Sequence, residues 1–97
     1  MFTELVHLGF GNMVAINKVV AIVFPKSAPL KRLVQEAKSK GLVIDVTNGR
    51  KTKAILIMDT GQLVLAAITP ETIAGRIIAG RSGSPLKEGS VEESQVE

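Results

Sequence analysis

The chain has 97 residues, enough for one domain or one domain with a tail, and too few for two independent cores. At 45% apolar residues it is a folding sequence, and the absence of cysteine excludes disulfides, thiolate metal sites and a cysteine nucleophile. Lys and Arg number 12 against 9 Asp and Glu, a net +3, and one histidine, His7, is too few for a His-rich zinc site or a staffed general-base centre.

In chain order, Leu5-Val6-His7-Leu8 is a short apolar segment, and Gly9-Phe10-Gly11-Asn12 is a turn before Met13-Val14-Ala15-Ile16. Asn17-Lys18 opens the β-branched run Val19-Val20-Ala21-Ile22-Val23-Phe24, which Pro25 stops. Ser27 is a good helix N-cap, and Pro29 is tolerated in the first turn. Leu30, Leu33, Val34 and Ala37 then recur at i, i+3, i+4 and i+7, predicting an amphipathic helix that ends at Gly41. Its outer face carries Lys31, Arg32, Lys38 and Lys40.

Leu42–Val46 predicts a strand, and Asn48-Gly49 is the strongest short hairpin dipeptide. The expected return strand rises through Lys51-Thr52-Lys53 into Ala54–Met58. Asp59-Thr60-Gly61 is a second turn, feeding Leu63–Ile68. Thr69-Pro70-Glu71 starts a helix through Ile73, Ala74, Ile77 and Ile78, expected to be short because Gly75 weakens it. The order predicts an α+β domain over residues 1–81, with a mostly antiparallel sheet of five to six strands and two short helices. Residues 82–97, rich in Glu and Ser without apolar period, read as a disordered acidic tail.

Residues 19–24, 54–58 and 63–68 are apolar on both alternating faces. Two short helices are not expected to cover both faces of such a sheet. Three large side chains left in water would forfeit about 5–9 kcal/mol, comparable to the stability of a small domain. A partner subunit is therefore expected, the alternative being a small barrel or sandwich that closes on itself.

The charge is uneven. Residues 82–97 hold one base and four acids, net −3, which leaves 11 bases and 5 acids, net +6, in residues 1–81. Residues 18–53 alone carry nine bases against Glu36 and Asp45. Such a body attracts polyanions, and the acidic tail partly masks it. The N-terminus lacks a basic signal-peptide opening, and the longest apolar runs reach about six residues against the roughly twenty that span a bilayer. A soluble cytoplasmic protein, with no membrane partner, is expected.

Enzyme chemistry finds little support. His7, between Val6 and Leu8, has no cluster of partners nearby, and Asp45 and Asp59 are isolated strand-end carboxylates. Gly9-Phe10-Gly11 lacks the rest of a dinucleotide fingerprint, and no G-K-[ST] phosphate loop is present. Gly80-Arg81-Ser82-Gly83 resembles an RNA-binding GXXG loop but sits at the start of the tail. Three aromatics, none interleaved with basic residues, argue against single-strand binding by stacking. No metal or cofactor is expected. The cluster Arg50-Lys51-Thr52-Lys53 is different, because a hairpin tip would project its charges. Strand alternation points Lys51 and Lys53 the same way, and Asn48 and Thr52 add hydrogen-bonding groups suited to phosphate oxygens. An ordinary solvated hairpin is the alternative. Copies of one weak patch around an oligomer would act multivalently on a polyanion.

Five segments carry a family resemblance: L-x-x-x-G-F-G-N-x-V-x-x-N-K at the N-terminus, S-A-P-L-K-R-L-V-Q-E-A, I-D-V-T-N-G-R-K-T-K, I-L-I-M-D and I-T-P-E-T. In order and spacing, over residues 4–78, they resemble the RemA family of small bacterial regulators of extracellular-matrix (biofilm) genes. The resemblance implies a DNA-binding protein that forms closed multi-subunit rings and holds duplex DNA on a basic surface. It implies DNA-binding roles for Arg50, Lys51 and Lys53, and for Lys18 after the N-terminal Asn. Lysine stands at 18, 51 and 53 where the family pattern leads one to expect arginine, which keeps the charge and loses the bidentate fork. The expectation is thus an oligomeric, cofactor-free duplex-DNA-binding transcriptional regulator. Its rivals are a self-assembling structural protein and an RNA-associated protein.

Overall fold

The computed structural model describes residues 4–82. The expected acidic tail, apart from Ser82, lies outside the described residues. Six strands and two helices follow in the order β1 (Leu5–Gly9), β2 (Asn12–Ala15), β3 (Val19–Val23), α1 (Ala28–Ser39), β4 (Val43–Asp45), β5 (Ala54–Met58), β6 (Leu63–Ala66) and α2 (Pro70–Ser82). The α+β class and the strand count are as expected. The single sheet is not: β1 and β2 form a ribbon of their own, and the other four strands form a second sheet in the order β3-β5-β6-β4.

The chain builds the four-stranded sheet from its edges inward. Strand β3 lies at one edge, α1 crosses a face, and β4 lies at the other edge. The β5–β6 hairpin then fills the middle, antiparallel within itself (Ala54 opposite Ala66, Ile57 opposite Leu63) and to β3 (Val23 opposite Ile55). Strand β4 runs parallel to β6, with Val43 opposite Leu63 and Asp45 opposite Leu65. The expected β4–β5 hairpin at Asn48-Gly49 therefore does not form. Strand β6 takes the place between them because Leu63–Ala66 is apolar at every position, as a strand buried on both faces must be. Strand β4, only three residues long with Ile44 and Asp45 exposed, suits an edge.

Both faces of this sheet are covered within the chain. On one, Ala37 and Val34 of α1 pack on Ile55, Leu63 and Leu65. On the other, Val6, Leu8 and Val14 of the ribbon and Ile73 of α2 pack on Leu56, Val64, Ala54 and Ala66. Contrary to expectation, residues 54–58 and 63–68 need no partner subunit to cover them, because the N-terminal ribbon folds back as a second cover. Only the β3 edge keeps the expected character: Val20 is 69% exposed, and Phe24, just past the strand, is 50% exposed.

Local signals set both helices. The Ser27 hydroxyl accepts from Leu30 N–H at 3.4 Å, and Gly41, at φ 72°, turns the chain out of α1. Thr69 Oγ1 accepts from Thr72 N–H at 3.2 Å ahead of Pro70. Helix α2 runs 13 residues, longer than expected. Burial of Ile73 and the bond from Arg76 Nη1 to the His7 carbonyl (2.8 Å) offset the cost of Gly75.

Candidate nucleic-acid interface

Residues 46–53 cross one end of the four-stranded sheet, past the end of β6, between the two strands that flank it. The crossing is anchored at both sides. Asp45 Oδ1 accepts from the backbone N–H of Thr47 at 2.9 Å and from its hydroxyl at 2.6 Å, and Thr47 is only 2% exposed. These two bonds, with Lys38 nearby, hold the Asp45 carboxyl below its ordinary value of 3.8. At the far side, Lys53 N–H donates to the Ala66 carbonyl at 2.8 Å. Between them Arg50 N–H bonds the Thr47 carbonyl at 3.1 Å across Asn48 (φ 57°) and Gly49 (φ 82°). The Asn-Gly signal is a true tight turn, set in a loop.

The loop's basic residues divide. Lys51 and Lys53 line a groove of about 790 Å³ together with Lys26, which follows β3, and Lys31 and Lys38 of α1. Phe24, Val34, Ile55 and Leu65 form its apolar wall, and Gln35, Thr52 and Thr69 add polar groups. Among the described residues no carboxylate lines it. Five ammonium groups around one concavity, with no acid among them, make a strongly positive site that favours anions. Arg50 leaves toward the ribbon, where its guanidinium carbon lies 5.4 Å from the centre of the Phe10 ring.

Of the four residues singled out in the sequence, the fold brings Lys51 and Lys53 into the groove and sets Arg50 beside it on the same loop. Lys18 stands apart. It precedes β3, and its carbonyl accepts from Asp59 N–H at 2.8 Å, at the end of β5 opposite Lys53. About 15 Å of strand separates those two ends. The basic face of α1, which the sequence presents as a separate surface, shares the groove through Lys31 and Lys38. The sequence pattern does not single out Lys26, whose one signal is its place beside Pro25 at a strand end. The Phe10–Arg50 contact joins residues forty apart and had no local signature.

Residues 5–77 match the family model described as RemA-like, extracellular matrix regulatory protein A-like. The chain belongs to this family. Among its relatives, a protein of Dehalococcoides mccartyi (strain 195) is 58% identical over 84 residues, covering 87% of this chain and 88% of the relative. One from Thermoanaerobacter sp. (strain X514) is 44% identical over 97 residues, covering 100% of this chain and 98% of the relative. One from Synechococcus sp. (strain JA-3-3Ab) is 47% identical over 85 residues, covering 88% and 96%. All three carry the name "putative regulatory protein". Among the described residues of this RemA-like chain no helix is long and apolar enough to cross a membrane.

Proposed function

We propose that this protein is a cytoplasmic, oligomeric transcriptional regulator, not an enzyme, that holds duplex DNA by its phosphates without a cofactor. The observation that carries this reading is the convergence of Lys26, Lys31, Lys38, Lys51 and Lys53 on one groove that no carboxylate of the described residues lines. Arg50 extends the same positive end of the molecule. Lysine offers a point charge where arginine would offer a fork, so the contacts position the duplex more than they read bases. The family description points to extracellular-matrix (biofilm) genes as the class of target.

Self-assembly into a closed ring belongs to the same proposal. Its support is exposed apolar side chains on different elements: Val20 and Phe24 at the β3 edge, Leu5 and Met13 on the outward side of the ribbon, and Ile78 on α2. Two different patches meeting head to tail make a heterologous contact, which closes into a ring when the rotation allows. One weak basic groove per subunit would then act many times on one duplex. Lys18, at the opposite end of the sheet, would join the surface only if the ring brings that end to the same duplex.

The test is a low-salt gel shift with duplex DNA, duplex RNA and single strands side by side, paired with an absolute mass from light scattering. Duplex DNA should bind best, with log K falling against log salt by about 0.9 per phosphate neutralised. Lys51→Ala with Lys53→Ala should lower affinity for every duplex and flatten that slope while the mass is unchanged. Lys31→Ala with Lys38→Ala should do the same, since these residues share the groove. A preference for RNA, or full affinity in both double variants, would overturn the DNA reading. A mass near 10.3 kDa across the micromolar range would overturn the ring.

A further inference from the structure

The turn between β1 and β2 holds three successive residues at positive φ: Gly9 at 95°, Phe10 at 56° and Gly11 at 80°. Glycine takes this conformation freely, and Asn or Asp takes it readily. A bulky aromatic residue does so only against a steric cost. Nothing in the turn itself calls for phenylalanine. Its hydrogen bonds, from Asn12 Nδ2 to the carbonyls of Gly9 (3.1 Å) and Phe10 (3.4 Å), use backbone that any residue would supply. Burial does not account for the side chain either. Phe10 is 50% exposed and packs in neither hydrophobic cluster.

What the ring does is lie against Arg50. The guanidinium carbon is 5.4 Å from the ring centre, within cation–π range, and the guanidinium has no carboxylate partner among the described residues. Arg50 sits on an exposed loop, where a long side chain loses rotamer freedom when it engages a ligand. An aromatic face that already holds the guanidinium lowers that loss and leaves its N–H edge free for a phosphate.

We infer that Phe10 is a positioning residue for DNA binding: a platform, held out by a left-handed turn, that pre-orients Arg50 toward the duplex backbone. The inference rests on the proposed DNA-binding role of this loop. It assigns a function to the Gly-Phe-Gly motif, and it links the N-terminal ribbon to a loop forty residues away.

The test uses the full chain, a fluorescent duplex at fixed low salt, and melting curves beside the binding curves. Phe10→Asn accepts the left-handed backbone better than phenylalanine and removes the ring. It should weaken duplex binding about two- to five-fold per engaged subunit, the range of an exposed cation–π contact, without lowering the melting temperature. Phe10→Leu should weaken binding equally, because it keeps apolar bulk and loses the π face, whereas Phe10→Trp should retain affinity. A merely structural role predicts that binding and melting fall together. In an Arg50→Ala background, Phe10→Asn should have no further effect.

If Arg50→Ala weakens binding while Phe10→Asn and Phe10→Leu bind like the parent, the inference falls and the DNA reading stands. If Arg50→Ala binds like the parent, Arg50 has no role for Phe10 to support and the inference falls, while the DNA reading still rests on Lys51 and Lys53. If Phe10→Asn weakens binding further in the Arg50→Ala background, Phe10 touches DNA directly and the positioning role is wrong.

Discussion

Strand β6 buries every one of its four side chains, whereas β3, equally apolar, leaves Val20 69% exposed. The difference is position. Strand β6 has a neighbour on each side and a cover on each face, while β3 has one neighbour and an open edge. The edge is also irregular: the register with β5 shifts between Val19 and Ala21, which leaves Val20 without a partner across the ladder. Bulges of this kind re-aim a side chain and blunt an edge against indiscriminate pairing. An apolar residue aimed outward at a blunted edge favours side-chain packing against a partner over strand addition. The same residue types thus serve stability in one strand and leave an apolar side chain in water in the other.

The largest effect should come from charging the buried strand. Leu65→Lys would place an unpaired ammonium where the side chain is 4% exposed. A cost of about 5 kcal/mol or more, near the whole stability of a small domain, should abolish the cooperative melting transition. Val20→Lys should leave that transition nearly in place and lower the mass seen by light scattering. Equal unfolding by both would erase the distinction between the strands.

Truncation sharpens it. Leu65→Ala should cost about 2–5 kcal/mol in denaturant unfolding, and Val20→Ala should stay within about 0.5 kcal/mol when measured on dissociated protein.

The other edge, β4, depends on a polar anchor instead. Asp45→Asn should cost at most about 1 kcal/mol near neutral pH, because the exposed carboxylate is partly screened. Since folding lowers the Asp45 pKa, its contribution is present above the ordinary value of 3.8 and is lost as pH falls through the lower folded value. The gap between parent and variant should therefore begin to narrow below about pH 4 and close only beneath the lowered folded value, and a gap that persisted at the acid limit would place the effect elsewhere.

The smallest effect is a gain. A Cβ added at Gly75 meets nothing within 4 Å, so Gly75→Ala should stabilise α2 by about 0.5–1 kcal/mol and raise the melting temperature by a few degrees.

Local chemistry was legible in the residues alone. Ser27, Thr69-Pro70, the Asn48-Gly49 turn and the run at 54–58 lie where caps, turns and apolar patterning put them, and the run expected over 63–68 is a strand as far as Ala66. These are decided by a residue and its near neighbours, so a single sequence carries them. The basic content of residues 18–53 was equally plain. Which strands pair was not, because Asn48-Gly49 specifies a reversal of the chain and says nothing about which strand then competes for β5. The fully apolar β6 wins that place, and the loop is left to cross its end. Tertiary structure alone decided that the ribbon covers the second face of the sheet, that Lys51 and Lys53 meet Lys26, Lys31 and Lys38 in one groove, and that Arg50 reaches Phe10. Each of these joins segments whose separation along the chain erases any local trace; burial of apolar surface selects the ribbon's place, and the groove and the Arg50–Phe10 contact follow from the packing it fixes.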